Sequence, residues 1–501
     1  MTEPLFIAVD LGAGSGRVFL CDIGLHELRL EEIRRFHYPP RMKKGRLRWD
    51  FSLIFDEIKA GLRQAAARAN ELARVVRSIG IDSWAVDYGL VDANGTLIDD
   101  PVCYRDDRTD GAIDDVCALV SRRSIFERTG IQFQSFNTLI QLSSERKDLS
   151  KASKLLLLPD LINYFLSGTT AAEFTNATTT QMINASTGTW DVYMLEHLGL
   201  PSGLLPKIIP AGSDLGELKP AIAAELGLQG VHVLAPGTHD TASAVAAAPI
   251  SPEWAYISSG TWSLIGVELD KPLINADVQC ENFTNEGGVY GSTRFLKNVM
   301  GLWIFESCRL EWKDHGIDLE YDEIIAEITN RDEFGAMIFP DDKRFLNPSS
   351  MLNAIWNQLR ETGQEFNEDP IAISKMIFDS LAFRCASVLR SIEFLTGRRL
   401  VGVQILGGGG RNRYLNQMTA NASGLRVKSG LYEATVLGNV LVQAISAGRF
   451  ESLSQAREYV VDNVDFVDFA PQALEELNDA RTRYGEIENR FANARRSITG
   501  L

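Results

Sequence analysis

The sequence is poor in cysteine, and its cysteines form no close pairs. They are Cys21, Cys103, Cys117, Cys280, Cys308 and Cys385. A zinc site or a disulfide framework would need cysteines at short, regular spacings, so neither is predicted. Buried free thiols are the expected state of these side chains.

Long apolar runs are also missing. No run approaches the ~18 apolar residues that a membrane helix needs. Asp10 interrupts the first apolar stretch soon after it begins, and no basic segment precedes that stretch, which disfavours a signal peptide. A cytoplasmic protein with no membrane partner is therefore expected.

Basic residues are fewer than acidic residues in this sequence. The 50 Lys and Arg residues face 66 Asp and Glu residues, a formal net charge of −16, which disfavours nucleic acid as a partner. The one basic run, at residues 34–48, contains Pro39 and Pro40 and is predicted to be a solvated loop. A chain of 501 residues exceeds what one core usually organises, so two domains with a cleft between them are predicted.

A glycine-rich turn near the start carries the first chemical signal. The segment Asp10–Arg17 lies between two apolar runs, Phe6–Val9 and Val18–Cys21, which predicts a β-hairpin. A dinucleotide fingerprint would need a third glycine at Arg17 and then a helix, so that fold is excluded. The turn instead predicts a phosphate cradle of backbone amides with Arg17 as a fixed cation and Asp10 as a Mg²⁺ ligand.

Later segments repeat this pattern. An amphipathic helix is predicted from about residue 52 to 77, followed by strand segments at 78–87 and 88–91, which is α/β patterning. A second glycine-serine turn, Ser258–Ser263, again joins two strands, so two similarly built halves are predicted, residues 1–247 and 248–501. Gly260 and Thr261 in this turn are candidates to hold phosphate.

A third glycine cluster, Gly407–Gly410, follows a predicted strand and precedes a helix around residues 414–423. Consecutive glycines let a planar ring approach the backbone closely, so this cluster is predicted to admit an adenine ring.

The predicted chemical centre lies just before the boundary between the halves, at residues 236–244. Asp240 is the candidate catalytic base, with the alternative that it only caps the following helix. His239 beside it is interpreted as a substrate contact rather than an acid or base. No Gly-x-Ser-x-Gly motif lies at a strand-to-helix turn, so acyl transfer is disfavoured, whereas phosphoryl transfer needs mainly the positioning and charge neutralisation that these residues offer.

Taken together, these motifs resemble the FGGY family of carbohydrate kinases, within the actin-like ATPase group. The resemblance spans nearly the whole chain. It rests on motifs at residues 9–18, 79–87, 104–109, 130–133, 136–139, 174–181, 239–245, 258–264, 284–288, 296–303 and 435–439.

The resemblance implies two ribonuclease-H-like α/β domains that flank a central cleft and close on a sugar and Mg-ATP. The implied ATP contacts are Ala13, Gly14, Ser15, Gly16, Arg17, Gly260, Thr261, Glu306, Gly407, Gly408 and Gly409. The implied sugar contacts are the backbone at Ala85 together with His239, Asp240, Thr241 and Asn298, and Asp240 is the implied base.

The expected reaction is transfer of the γ-phosphoryl group to the C1 hydroxyl of a ketose, with L-rhamnulose favoured and L-fuculose as the alternative. A nucleotide-driven switch protein of the same fold is the alternative from another class, but it leaves the sugar-side motifs unexplained. Two departures from the pattern stand out. Ala85 replaces a glycine, which predicts a slightly smaller pocket floor, and Glu306 replaces a glutamine near the nucleotide, which adds negative charge or faces solvent. The oligomeric state stays open.

Overall fold

The computed structural model describes residues 4–24, 27–145, 148–331 and 333–499. Its strands are β1 (Leu5–Gly12), β2 (Ser15–Ile23), β3 (Leu28–His37), β4 (Arg41–Lys43), β5 (Arg46–Arg48), β6 (Val76–Ser83), β7 (Tyr88–Val91), β8 (Lys154–Leu157), β9 (Ala172–Glu173), β10 (Ile183–Asn184), β11 (Thr189–Trp190), β12 (Ile208–Ile209), β13 (Ser213–Glu217), β14 (His232–Ala235), β15 (Trp254–Ser259), β16 (Trp262–Leu269), β17 (Thr284–Gly287), β18 (Thr293–Met300), β19 (Gly402–Leu406), β20 (Arg426–Leu431) and β21 (Val467–Phe469).

The helices are α1 (Phe51–Glu71), α2 (Ala112–Leu119), α3 (Arg122–Thr129), α4 (Thr138–Ser144), α5 (Leu158–Ser167), α6 (Phe174–Thr179), α7 (Val192–His197), α8 (Pro220–Leu226), α9 (Asp240–Ala246), α10 (Ala276–Cys280), α11 (Trp303–Asp314), α12 (Tyr321–Thr329), α13 (Met351–Glu361), α14 (Pro370–Thr396), α15 (Arg413–Ser423), α16 (Ala434–Ser446), α17 (Leu453–Asn463) and α18 (Leu477–Thr499). Within the described ranges, no helix is both long and apolar enough to span a membrane.

Two large sheets share one topology. The first has the order β13-β14-β6-β1-β2-β3, and the second has the order β17-β18-β16-β15-β19-β20-β21. In the first sheet β3, β2 and β1 are antiparallel neighbours, and β6 and β14 continue in parallel to β1. In the second, β18, β16 and β15 are antiparallel, and β19 and β20 continue in parallel to β15. The hairpins β1–β2 and β15–β16 are therefore equivalent elements of two similarly built halves.

The predicted hairpins form because apolar strands flank turns with little side-chain bulk, and β1 is buried along almost its whole length. Helix α1 begins after Asp50, whose carboxylate accepts the Leu53 amide hydrogen, and it buries Ile54, Ile58 and Leu62 in the core beside β1 and β2. Its predicted end at residue 77 is wrong. The helix ends at Glu71 because the chain must turn to pair Val76–Ser83 in parallel with β1.

The basic run is also not the predicted loop. It contains the last four residues of β3 and the short hairpin β4–β5, with Pro39 and Pro40 between them. Arg34 forms an ion pair with Glu57 on α1 at 2.6 Å. These cations therefore have local structural partners. The thiol prediction holds in part, because Cys21, Cys103, Cys308 and Cys385 are buried whereas Cys280 is exposed.

The two halves meet along α9 from the first and α16 from the second. A Cβ atom on Gly438 of α16 would lie 1.7 Å from the carbonyl oxygen of Ser243 on α9, so only glycine permits this approach. Two polar side chains of α16 reach the first sheet: Asn439 Nδ2 donates to Gly80 O at 3.2 Å, and Gln443 Nε2 donates to Ile7 O at 3.0 Å. The second half is thereby hydrogen-bonded to β1 and β6, the two central strands of the first sheet.

Candidate active site

The backbone of the first glycine-rich turn is held in place by the side chain of Tyr38. The Tyr38 hydroxyl contacts Gly12 O at 2.7 Å and Ser15 O at 2.9 Å. At the base of the turn, Asp10 and Arg17 are register partners, and Arg17 Nη2 lies 2.5 Å from Asp10 Oδ2. The turn therefore presents a fixed backbone with one anion and one cation beside it.

Arg17 also reaches the other half. Its Nη1 atom lies 2.6 Å from Glu433 Oε2, immediately before α16. The predicted phosphate cation is thus held between two carboxylates. A phosphate that binds Arg17 would compete with these carboxylates for the same donors.

Three carboxylates converge beside this turn. Asp82 is the parallel register partner of Asp10, and its side chain is fully buried. Asn439 Nδ2 donates to Asp82 Oδ2 at 2.6 Å, whereas Asp82 Oδ1 has no hydrogen-bond partner. Burial, with the negative charges of Asp10 and Asp240, raises the pKa of Asp82 well above its usual value. The carboxylates of this cluster therefore disfavour one another's ionised form.

Asp240 stands at the start of α9. The alternative that its side chain caps this helix is wrong: the N-cap residue is His239, and Asp240 is the first helical residue. Its Oδ1 atom accepts hydrogen bonds from the Thr241 amide and from the Thr241 hydroxyl, the latter at 3.0 Å. Burial, followed by the charge of Asp10, raises the pKa of Asp240 to about 7. Its side chain keeps 29% of its surface exposed, so Asp240 remains accessible to a substrate.

The backbone at Ala85 lies in a strained turn next to β6. Val86 has φ +70°, an unfavourable value for a β-branched residue, and the Asp87 amide donates to Ala85 O at 3.0 Å. Thr138 holds this turn by donating its hydroxyl to Val86 O at 2.7 Å. Such strain persists only where surrounding contacts enforce it and is often found at functional sites.

The other two predicted sugar contacts come from opposite halves. His239 is buried, and its Nδ1 atom lies 2.9 Å from Nη2 of Arg294. Burial and the Arg294 charge hold the pKa of His239 well below its usual value, so the ring is neutral. Asn298 on β18 donates Nδ2 to Gln132 Oε1 at 3.1 Å, which ties it to the first half.

The second glycine-rich turn has no charge of its own. Gly260 and Thr261 are exposed, and their carbonyl groups accept hydrogen bonds from the amides of residues 301–303, where α11 begins. A Cβ atom on Gly409 would lie 2.1 Å from Ser259 Oγ, so the third glycine cluster packs against this turn. Gly408 is exposed, with open space where its Cβ would be.

The segment at residues 431–433 links the third glycine cluster to the first glycine-rich turn. Gly407 N donates to Leu431 O at 2.9 Å, and Glu433, two residues further on, pairs with Arg17. Glu306 lies in the first turn of α11, where it is exposed and pairs with Arg309 at 3.2 Å. Its extra negative charge therefore has a local partner.

Side chains also meet across the cleft. The rings of Phe136 and Trp262 lie edge to face with centroids 5.7 Å apart, and the Arg105 guanidinium lies 4.5 Å from the ring centre of Trp303. Each pair joins the first half to the second. The halves are thus in contact through these side chains as well as through α9 and α16.

The sequence interpretation missed several side chains at this site: Asp82, Arg294, Glu286 and Asn439. A signal existed for Asp82, because a carboxylate that follows the apolar residues Ile79–Ile81 is rarely buried without a role. The importance of the other three lies in contacts with residues distant in sequence, which no local pattern indicates.

The residues at the first turn fit a magnesium ion. Asp82 Oδ1 is a buried oxygen without a donor, and it lies against the Asp10 carboxylate. Mg²⁺ keeps several waters and needs only one or two carboxylates from the protein. Among the described residues, no group of three or more His, Cys, Asp or Glu side chains is arranged to hold a metal ion.

Comparisons with known proteins agree with this geometry. The sequence profile of the FGGY family of carbohydrate kinases matches with its N-terminal domain at residues 5–247 and with its C-terminal domain at residues 255–447. The rhamnulokinase of Bacteroides thetaiotaomicron is 40% identical over 474 residues, which cover 94% of this chain and 96% of that protein. The rhamnulokinase of Ligilactobacillus salivarius is 39% identical over 469 residues, 93% and 95% of the two chains.

Solved structures match the fold at low sequence identity. A ligand-bound xylulose kinase from Lactobacillus acidophilus superposes with a TM-score of 0.80 at 15% identity, covering 98% of this chain and 99% of that one. The glycerol kinase of Plasmodium falciparum with ADP gives a TM-score of 0.78 at 14% identity, covering 97% and 98%. The predicted fold class, two actin-like α/β domains around a cleft, is confirmed. The chain belongs to the FGGY family of carbohydrate kinases.

Proposed function

We propose that this carbohydrate kinase transfers the γ-phosphoryl group of ATP to the C1 hydroxyl of L-rhamnulose, giving L-rhamnulose 1-phosphate. The observation that carries the choice of sugar is the 40% identity to a rhamnulokinase over 94% of the chain. Family membership implies a kinase that uses ATP, and the cleft between the halves is the natural place for both substrates.

Asp240 is the proposed general base. It removes the proton from the C1 hydroxyl as that oxygen attacks the γ-phosphorus. A base works best when its pKa lies near the working pH, and burial places that of Asp240 at about 7. Thr241 engages one oxygen of the carboxylate with two hydrogen bonds, which fixes its orientation and leaves the other oxygen for the sugar.

The sugar is proposed to lie between His239, Asn298 and the backbone at Ala85. His239 is neutral at physiological pH because burial lowers its pKa, so it acts as a hydrogen-bonding group and not as a competing acid. The strained turn at Val86 keeps the Ala85 backbone in one conformation. The proposed domain boundary, between residues 247 and 248, lies just after α9, which carries the base.

ATP is proposed to lie between the two glycine-rich turns. Residues Ala13–Arg17 would contact its phosphates from the first half, and Gly260, Thr261 and Gly407–Gly409 would contact it from the second. Arg17 would exchange one carboxylate partner for phosphate. Glu306 would lie near the nucleotide, with its charge balanced by Arg309.

Asp10 and Asp82 are proposed to hold Mg²⁺ directly or through water. When bound, the ion neutralises charge on the phosphates and on this carboxylate pair. The protein's own contribution is to keep both carboxylates in place: Arg17 contacts Asp10, and Asn439 from the second half contacts Asp82.

The test is ADP release by purified protein with Mg-ATP and a panel of sugars: L-rhamnulose, its C4 epimer L-fuculose, D-xylulose and glycerol. We expect kcat/KM to be at least about tenfold higher for L-rhamnulose than for L-fuculose, since a site built for one set of hydroxyl groups rejects the wrong set. Phosphorus-coupled proton spectra of the product should place the phosphate on C1.

Each other outcome has a defined meaning. Preference for another ketose would remove L-rhamnulose as the substrate but keep the sugar kinase. ADP release that no sugar stimulates would favour the nucleotide-driven switch instead. A phosphate on any carbon other than C1 would contradict the proposed position of the sugar relative to Asp240.

A further inference from the structure

A buried ion pair lies against His239, one of the proposed sugar contacts. Glu286 on β17 and Arg294 on β18 are register partners, and Arg294 Nη2 lies 3.1 Å from Glu286 Oε2. The Arg294 side chain is fully buried and that of Glu286 is nearly so. Buried ion pairs contribute little stability compared with well-packed apolar residues, so this pair calls for a functional explanation.

Arg294 determines where His239 carries its hydrogen. A guanidinium group can only donate hydrogen bonds. His239 Nδ1, which lies 2.9 Å from Arg294 Nη2, must therefore be the unprotonated nitrogen that accepts. The ring is neutral and has one N–H group, which therefore lies on Nε2. The opposite tautomer would point a hydrogen from Nδ1 towards Glu286 Oε2, which is 3.5 Å away, at the cost of opposing the guanidinium hydrogens.

Asn298 is oriented by Gln132. Its Nδ2 atom donates to Gln132 Oε1 at 3.1 Å, so the NH₂ end of the amide faces Gln132. The amide carbonyl oxygen can only accept hydrogen bonds, so Asn298 offers the site an acceptor.

We propose that the Glu286–Arg294 pair is a positioning element for sugar specificity, which fixes His239 as a donor through Nε2–H beside the acceptor Oδ1 of Asn298. The site then favours a sugar that offers an oxygen to His239 and a hydroxyl hydrogen to Asn298. Because His239 Nε2 lies 3.4 Å from Asp240 Oδ1, this donor stands beside the proposed base. The sugar's identity rests on the proposed function, whereas the tautomer does not.

The first test needs no substrate. Protein labelled with ¹⁵N-histidine contains only six histidines, and His239→Gln identifies the signals of His239 in long-range ¹H–¹⁵N spectra. We expect a pyrrole-like Nε2 and a pyridine-like Nδ1, unchanged between about pH 6 and about pH 8. A pyrrole-like Nδ1, or an imidazolium in this range, would overturn the proposal.

The second test compares Arg294→Met and Arg294→Lys. The lysine ammonium can still donate to Nδ1, whereas methionine cannot, so we expect the KM for the sugar to rise about 10- to 100-fold in Arg294→Met and to be partly restored in Arg294→Lys. The KM for ATP should stay within about twofold of wild type. An unchanged sugar KM in a folded Arg294→Met protein would overturn the proposal.

The control is Lys375→Met, which breaks another buried ion pair, Lys375–Asp379, at 2.7 Å. It should lower Tm without changing the sugar KM, and an equal rise in sugar KM would show that Arg294 acts only through stability. If Arg294 variants do not fold, the wild-type spectrum alone decides. If wild-type protein does not phosphorylate L-rhamnulose, the proposed function is wrong. The ¹⁵N spectrum of His239 still decides the tautomer independently.

Discussion

The two halves of the molecule use the same hairpin in different ways. The β1–β2 turn has Asp10 and Arg17 at its base, 2.5 Å apart, and Asp82 on the neighbouring strand. The β15–β16 turn occupies the equivalent place in the second sheet, but Gly260 and Thr261 at its tip carry no charge. Its neighbours are backbone groups of α11 and the glycines at 407–409.

This difference indicates that the two similarly built halves have different roles. Charged side chains in the first half suit metal binding and proton transfer, which depend on carboxylates. Close backbone approach in the second half suits a flat ring and phosphate oxygens, which need space and amide donors. A second carboxylate cluster facing the same phosphates would repel them, so the charges are best confined to one side.

The largest expected effect comes from removing the base. Asp240→Asn should lower kcat by about 10²–10⁴-fold, because the amide cannot take the proton, while ATP binding stays within a few-fold of wild type. Steady-state kinetics and ATP titration measure both. The matched control is Asp214→Asn, an exposed carboxylate in β13, which should have no effect. Turnover within tenfold of wild type would remove Asp240 as the base.

The next effect concerns the metal. Asp82→Asn should weaken Mn²⁺ binding in the presence of an ATP analogue by about 10- to 100-fold, because one of the two carboxylates loses its charge. Electron paramagnetic resonance of free Mn²⁺ measures this directly. Asp160→Asn is the control, since Asp160 is another buried carboxylate, whose hydrogen bond comes from the Glu173 amide, and it is not among the proposed metal ligands. Equal loss of affinity in both variants would contradict a specific role for Asp82.

In the second half, two neighbouring glycines separate packing from ligand contact. A Cβ atom at Gly409 would collide with Ser259, so Gly409→Ala should destabilise the fold by about 1–3 kcal/mol and lower Tm. Gly408 has open space, so Gly408→Ala should leave Tm unchanged and raise the KM for ATP about two- to tenfold if ATP lies against it. Equal loss of Tm in both variants would contradict this separation.

The local features of this division could be predicted from the sequence. Apolar runs on each side of a glycine-rich turn are sufficient for a hairpin, so both turns and the strand before Gly407 were predictable. The resemblance of short motifs to a family then linked the turns to one fold. Helix α9 was also predictable, although Asp240 is its first residue and not its cap.

The remaining features depend on contacts between distant residues. The carboxylate pair exists because β1 and β6 pair in one register, and Asn439 reaches Asp82 only after the halves have packed together. Glu433 as the partner of Arg17 and Arg294 as the partner of His239 arise in the same way. The basic run shows the opposite error, since its prolines indicated a loop and not the two short strands β4 and β5.

The smallest effect concerns pH, and it tests whether charge is confined to the first half. The base must be ionised, so kcat/KM for the sugar should be half-maximal near pH 7 and fall about tenfold per pH unit below it. The stability that Asp240 contributes is fully present below its ordinary pKa of 3.8 and is lost as pH rises through about 7, so Asp240→Asn should remove this loss in urea titrations.

Bound Mg²⁺ would offset the Asp10 charge that raises the pKa of Asp240. Saturating Mg²⁺ should therefore move the acidic limb of the kcat/KM profile to lower pH by less than about one unit. Gly408→Ala, which changes no charge, should leave the limb where it is. If Gly408→Ala shifts the acidic limb of the kcat/KM profile as far as Mg²⁺ does, the second half also controls the charge of Asp240.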